Sequence, residues 1–171
     1  MGADKAFAEI DGRPMVMVAV DALIDGGALV VQVIGGDVER LVASGLQASP
    51  DRWHGEGPLG GVIQAIEWTK ELGVEHVMVL ACDLPRASSS TVRLLADRAT
   101  GSPGSILVPM AEDRAQWLHA CWPTRVLEAL EGLFLNGERA LHGALEGLSF
   151  IEIRGLEVRS LVDANWPSEV P

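Results

Sequence analysis

Two charged side chains in this sequence have the types and positions that phosphate-transfer chemistry needs. Lys5 follows a short polar lead containing Gly2, and a lysine after a glycine turn suits a grip on phosphate groups. Asp83 directly follows an apolar run, and Pro85 fixes the turn after it, so its carboxylate is expected at the exit of a buried strand. A carboxylate there suits Mg²⁺, which prefers oxygen ligands and also holds substrate phosphates. Lysine, cation and polyphosphate together indicate nucleotidyl transfer.

Both residues also have an ordinary structural interpretation. An aspartate at the end of a strand commonly forms an Asx turn or caps the next helix, and the strand pattern does not decide between that role and a metal ligand. A lysine near a chain terminus is usually a solvated surface charge. Lys5 and Asp83 therefore gain weight only from their context.

Three further segments carry groups that could meet a ligand. Gly57-Pro58-Leu59-Gly60-Gly61 precedes a predicted helix, where free backbone N–H groups and the helix dipole favour an anion or a nucleotide edge. Asp51 lies a few residues earlier, and alone it is a loop carboxylate. Asp163 and Asn165 are two residues apart and would face one way in an extended segment. A tight helix start and a terminal turn remain the alternative interpretations of the first and last segments.

The elements that must position these residues alternate between helices and strands, joined by short glycine-rich links. This alternation predicts one α/β domain over residues 1–171, a three-layer sandwich with a mainly parallel central sheet. Ligands of such sheets bind beyond the carboxyl ends of the strands, where Gly35, Gly36, Asp83 and Asp163 are expected. The predicted helices cover 14–24, 37–44, 59–72, 88–99, 125–134 and 138–145; the predicted strands cover 28–34, 76–82, 105–109 and 117–122, with 149–153 and 158–162 extended.

Composition excludes several classes of function. The 171 residues carry 24 acidic and 13 basic side chains, a net charge of −11, which disfavours a nucleic-acid binder. No stretch reaches the length of a membrane span, and no basic, apolar leader opens the sequence. Cys82 and Cys121 are expected as buried thiols, which predicts a cytoplasmic protein. The four histidines show no ligand or triad spacing.

Taken in order, the motifs resemble those of molybdenum cofactor guanylyltransferase and its close relatives. The segments that carry the resemblance are Met1-Gly-Ala-Asp-Lys-Ala6, Gly57-Pro-Leu-Gly-Gly61, Cys82-Asp-Leu-Pro85, Gln116-Trp-Leu-His-Ala-Cys-Trp122, Asn136-Gly-Glu-Arg139 and Val162-Asp-Ala-Asn-Trp-Pro167. The first three are typical of the wider sugar-nucleotidyltransferase-like group, and the rest favour the molybdopterin branch. The resemblance spans essentially the whole chain and implies a Rossmann-like nucleotide-diphospho-sugar transferase fold.

This resemblance implies a role for each candidate residue. Lys5 would hold the triphosphate and Asp83 the catalytic Mg²⁺, which makes these two the catalytic pair. Asp51 and the Gly57–Gly61 loop would meet guanine and ribose. The implied nucleotide-binding set is Gly2, Lys5, Gly35, Gly36, Asp51, Gly57, Pro58, Leu59, Gly60 and Asp83, and the implied metal set is Asp83, Asp163 and Asn165.

The sequence departs from the family pattern in places. The family normally opens with a buried strand and a Leu-Ala-Gly-Gly type loop ahead of Lys5, so we expect the domain to be incomplete at its amino terminus and the chain to be a poor enzyme. Trp117 stands where proline is usual, Trp166 stands where threonine is common, and relatives usually continue beyond Pro171.

The expected activity is Mg²⁺-dependent transfer of GMP from GTP to molybdopterin with release of pyrophosphate. The acceptor phosphate is already a nucleophile, so positioning and charge neutralisation would suffice without a covalent intermediate. The alternatives are a cytidylyl- or other nucleotidyltransferase of the same group, and a catalytically silent homologue that binds nucleotide or a partner protein. The expected partners are GTP and molybdopterin, with a homodimer or a contact with other molybdenum cofactor proteins compatible with the sequence.

Overall fold

The computed structural model describes residues 5–145 and 147–162. The helices are α1 (Met15–Asp25), α2 (Val38–Ala43), α3 (Pro58–Glu71), α4 (Ser89–Thr100), α5 (Leu127–Leu135) and α6 (Leu141–Ala144). The strands are β1 (Glu9–Ile10), β2 (Arg13–Pro14), β3 (Val33–Ile34), β4 (Ala48–Ser49), β5 (His76–Met78), β6 (Ile106–Ala111), β7 (Arg114–Ala115), β8 (Cys121–Pro123) and β9 (Phe150–Ile153). Short 3-10 turns cover Lys5–Phe7, Trp117–His119, Thr124–Val126 and Val158–Leu161.

Three layers form because alternate residues of the central strands face opposite sides. Ile106 and Val108 of β6 pack with α3 and α5 in the largest core cluster, whereas Leu107 packs with Leu95 of α4 on the other face. The predicted α/β fold is confirmed. The sheet was predicted to be mainly parallel, but the pairings among the described strands are mixed: β3–β4 and β6–β9 are parallel, while β5–β8, β6–β8, β6–β7 and β1–β2 are antiparallel.

The described strands fall into separate sheets. Within residues 5–145 and 147–162, β3 pairs with β4 alone and β5 pairs with β8 alone, and β8 joins β5 to β6. The predicted strands over 28–34 and 76–82 are therefore shortened to Val33–Ile34 and His76–Met78, because ladder partners are provided on one side only.

Two other predicted strands differ because local turns compete with extended pairing. Trp117–His119 and Val158–Leu161 are 3-10 turns, and β8 begins only at Cys121. The predicted helices over 14–24, 37–44, 59–72, 88–99 and 125–134 are confirmed to within about two residues at each end. The helix predicted over 138–145 is shorter, Leu141–Ala144, because Glu138 uses its carboxylate to bind the backbone N–H groups of Arg139 and Ala140.

Cys82 and Cys121 are thiols outside any disulfide, and Cys121 is buried as predicted, whereas Cys82 is only half-buried. None of the helices in the described part of the chain combines the length and the apolarity that a membrane crossing requires.

Candidate active site

Lys5 and Asp83 come together in the structure. Lys5 lies in the first 3-10 turn and its Nζ is 3.9 Å from Oδ2 of Asp83. Asp83 lies in the turn beyond β5, and its side chain keeps 25% of its surface accessible. Leu84 is fully buried beside it, which anchors the turn and presents the carboxylate outward. The pair thus places a cation and an anion at one open position of the surface.

Gly35 and Asp51 also meet, at the carboxyl ends of the parallel strands β3 and β4. A Cβ atom added to Gly35 would lie 3.3 Å from Cβ of Asp51. The backbone N–H of Gly35 donates to the carbonyl of Ser49, which extends the β3–β4 pairing into the loop. Gly35 and Gly36 have φ values of +83° and +73°, so this sharp turn suits glycine.

Asp51 stabilises a local turn and keeps acceptor positions of its carboxylate for a ligand. Its Oδ1 accepts a hydrogen bond from the backbone N–H of Trp53 at 2.9 Å, which is an Asx turn. A carboxylate has about four acceptor positions, so this bond leaves capacity for a ligand. The turn also directs Trp53 against Gly60, whose added Cβ would lie 3.0 Å from Cβ of Trp53.

The glycine-rich loop at the start of α3 is held in place by Arg139. The Leu59 N–H donates to the carbonyl of Arg139 at 3.3 Å, so one of the backbone N–H groups at this helix start is already used. The Arg139 guanidinium contacts the Glu56 carboxylate at 2.9 Å and donates to the carbonyl of Phe134 at 2.7 Å. We call this set of contacts between Glu56, Arg139 and Phe134 the Arg139 clamp.

The stacked side chains of Arg139, Phe134 and Trp53 pack against the same loop. The Arg139 guanidinium lies 4.0 Å from the centroid of the Phe134 ring, and the Phe134 and Trp53 rings are 5.1 Å apart. The carboxylate of Glu138 accepts hydrogen bonds from the backbone N–H groups of Ala140 and Arg139, and these bonds lower its pKa, with Ala140 having the larger effect. Arg139 and Ala140 are therefore fixed on the side that faces the glycine loop.

The structure brings Lys5 beside Asp83 and Gly35 beside Asp51, whereas Arg139 had no role in the sequence-based prediction. Arg139 lies 83 positions after Glu56, and no spacing rule joins residues that far apart. The only available signal was the family-like segment that ends at this arginine.

The separate parts of the site share apolar support. One core cluster contains Ala6, which follows Lys5, together with Val33 of β3 and Cys82, which precedes Asp83. Trp53 links Asp51 to the Gly57 loop. Gly2, Asp163 and Asn165 lie outside the described residues, and the described part of the chain holds no cluster of three or more His, Cys, Asp or Glu side chains fit to bind a metal ion.

The known proteins that this chain resembles are nucleotidyltransferases. A family model described as the MobA-like NTP transferase domain matches residues 1–150. The molybdenum cofactor guanylyltransferase of Acidiphilium cryptum is 33% identical over 137 residues, which cover 80% of this chain and 66% of that protein. The probable molybdenum cofactor guanylyltransferase of Opitutus terrae is 26% identical over 172 residues, covering 97% of this chain and 83% of the relative.

Solved structures share the fold. Molybdopterin-guanine dinucleotide biosynthesis protein A from Archaeoglobus fulgidus has a TM-score of 0.77 at 18% identity, covering 99% of this chain and 88% of that one. The 2-C-methyl-D-erythritol 4-phosphate cytidylyltransferase of Thermus thermophilus has a TM-score of 0.74 at 17% identity, covering 97% and 90%. Because the family model matches most of the sequence, the chain belongs to the MobA-like NTP transferase domain family, a family of nucleotidyltransferases.

Proposed function

We propose that this chain joins GMP from GTP to the phosphate of molybdopterin and releases pyrophosphate. The observation that supports this most is the Lys5–Asp83 pair, 3.9 Å apart at the exit of β5, in a chain with relatives named molybdenum cofactor guanylyltransferase. The cytoplasm is the proposed compartment, because both cysteines are thiols.

Members of the family generally use a divalent metal, and Asp83 is the described residue proposed to contribute a ligand to it. Asp83 is a partly accessible carboxylate beside a lysine, and Mg²⁺ typically takes one or two carboxylates together with substrate phosphates. Asp163 and Asn165 are proposed as further oxygen ligands, although they lie outside the described residues. When bound, the cation would neutralise charge that develops on the transferred phosphoryl group.

The residues of the chain position the reactants. Lys5 would bind the triphosphate as a point charge and draw it towards Asp83. Backbone N–H groups at the start of α3 would face the nucleotide, and Gly35 would let it approach Asp51 closely. The molybdopterin phosphate needs no general base to become a nucleophile, so catalysis follows from alignment and charge neutralisation.

Asp51 supports guanine as the base. A carboxylate can accept hydrogen bonds from the N1–H and the exocyclic amine of guanine together, and neither cytosine nor adenine offers that pair. Competition binding in the presence of Mg²⁺ should therefore rank GTP ahead of CTP and ATP. CTP in first place would favour cytidylyl transfer instead.

Replacement of Asp83 by asparagine tests the metal role. Asp83→Asn keeps the size of the side chain and removes its charge, and the exposed contact with Lys5 contributes little stability. We expect transfer to be lost while the protein stays folded. Asp97→Asn is the matched control, because it makes the same substitution at an exposed aspartate on α4, and it should keep full activity. A folded Asp83→Asn protein with near-normal turnover would remove Asp83 from the mechanism.

We also propose that the site is completed by an extended segment and a glycine-rich turn ahead of Met1. The support is the free side of β3 and of β5 among the described residues, with Val33 and Val77 only half-buried there. A version of the chain extended by about a dozen residues of its own reading frame, roughly one strand and a turn, should bind GTP more tightly. Equal binding by both versions would contradict this proposal.

A further inference from the structure

A small pocket lies between the 3-10 turn Trp117–His119 and the start of α6. Its volume is about 270 Å³. Its apolar walls come from Pro58, Trp117, Leu118 and Leu141, and its polar edge carries Gln116 and His142. We call this cavity the Trp117 pocket.

The wall formed by Trp117 is fixed before any ligand arrives. Its ring meets the ring of Phe150 edge to face, with centroids 5.3 Å apart, and the ring of Trp122 lies 6.5 Å away. Trp122 is fully buried in the core. A ligand entering the pocket would therefore find a preorganised aromatic surface, which lowers the cost of ordering side chains on binding.

Size and lining define the class of ligand. Small-molecule pockets usually measure about 300–1,000 Å³, so a pocket just below that range suits one fused-ring heterocycle rather than a whole nucleotide. No Asp, Glu, Lys or Arg is among the described residues that line it. The Gln116 amide offers both a donor and an acceptor, and the His142 imidazole offers the same when neutral. A neutral planar ring with amino and carbonyl groups matches this lining, whereas a phosphate does not.

The pocket is next to the proposed nucleotide site but separate from it. Pro58 belongs both to the pocket wall and to the glycine-rich loop, while Asp51 and Gly35 do not line the pocket. The Arg139 clamp connects the two sites, because the Arg139 carbonyl accepts from Leu59 and the next residues, Ala140 to His142, line the cavity.

We propose that the Trp117 pocket binds the pterin ring of the acceptor, with Trp117 against the ring and Gln116 and His142 at its polar edge. This inference rests on the proposed function, in which the acceptor carries a pterin. Guanine has a separate proposed partner in Asp51, which does not line the pocket, so the two heterocycles of the product would bind at different places. Trp117 would thereby determine acceptor binding in this chain.

The test is direct binding of 6-hydroxymethylpterin, a fluorescent pterin without a phosphate, followed by fluorescence anisotropy. Trp117→Ala should weaken binding about tenfold, as the loss of one aromatic stacking partner does elsewhere. Gln116→Leu should also weaken binding, and it keeps the packing of Trp117 on Phe150 if the tryptophan substitution impairs folding. Gln47→Leu, at an exposed glutamine outside the pocket, is the matched control and should bind like the unmodified chain.

The outcomes separate this inference from the proposed function. Pterin binding that both pocket variants weaken, and that excess GDP does not displace, supports the pocket even if no GMP transfer is found. Transfer by the chain together with pterin binding that neither variant affects would overturn the pocket and leave the function standing. Displacement of pterin by GDP, or no saturable pterin binding at all, would also overturn it.

Discussion

Replacement by alanine should lower the stability of the protein at Gly57 and raise it at Gly61, two glycines of one motif. Gly57 precedes α3 with φ +92° and ψ 174°, a backbone region occupied almost only by glycine. An added Cβ atom would also lie 3.0 Å from the carbonyl oxygen of Arg139. Gly61, four residues later, is inside α3, and an added Cβ would meet no heavy atom within 4 Å.

The expected magnitudes follow from these environments. A residue forced into the Gly57 conformation costs about 1–3 kcal/mol of folding free energy. The Arg139 carbonyl cannot easily move away, because it accepts the Leu59 N–H and the Arg139 clamp fixes its segment. Alanine at Gly61 should instead stabilise the helix by roughly 0.5–1 kcal/mol. The two variants should therefore differ by roughly 1.5–4 kcal/mol.

Urea unfolding measures this difference directly. Both variants should keep the m value of the unmodified chain, with Gly57→Ala shifted to lower and Gly61→Ala to higher midpoint concentrations. For a protein of this size the corresponding melting temperatures move by about 2–4 °C per kcal/mol. GTP should bind more weakly to Gly57→Ala, since its loop must relax, and normally to Gly61→Ala. If Gly57→Ala proved as stable as Gly61→Ala, the described loop conformation and its contact with Arg139 would be wrong.

Three further predictions concern single side chains. Arg139→Ala should lose about 1–3 kcal/mol of stability, and Arg139→Lys should recover only part of it in urea unfolding. The reason is that one ammonium nitrogen does not reproduce the planar guanidinium, which reaches Glu56 with Nε and Nη2 and the Phe134 carbonyl with Nη1. A lysine variant as stable as the unmodified chain would refute the clamp. Burial lowers the pKa of His76; the Glu75 charge raises this pKa in part, and the Arg125 charge lowers it. The unfolded chain therefore binds more protons at this histidine than the folded chain, so stability falls as the pH drops below the usual histidine pKa of 6.5. Unfolding measured between about pH 5 and 7.5 should show less of this loss in His76→Gln, and an unchanged profile would contradict the assignment. Burial also raises the pKa of Cys121 to about 12. A thiol reagent at about pH 8 should therefore label the half-buried Cys82 first and should react with Cys121 only in urea. Rapid labelling of both thiols in the folded chain would show that Cys121 is accessible.

The sequence predicted the helices better than the strands. The helix α3 follows from local information, an apolar face and a proline at its first position, and it appears over Pro58–Glu71. Strand length depends on partners elsewhere in the chain, so the apolar run 76–82 forms ladder pairs only at His76–Met78, where β8 supplies them.

The same distinction applies to the site. Asp83 and Gly35 could be predicted, because strand ends and glycine turns leave local signals, and the structure brings Asp51 beside Gly35 and Lys5 beside Asp83. The Arg139 clamp could not be predicted, because it depends on a contact between Glu56 and an arginine 83 positions later.

A transfer assay examines directly whether this chain joins GMP to a pterin phosphate. The chain, with and without the amino-terminal extension described above, is incubated with Mg²⁺, molybdopterin and GTP or CTP labelled at the α-phosphate. We expect label from GTP to appear in a molybdopterin dinucleotide, with release of pyrophosphate, and to appear more rapidly with the extended version. Asp83→Asn should abolish the product. Label transferred from CTP in preference to GTP, or no labelled dinucleotide from either version, would show that the chain does not transfer GMP to molybdopterin.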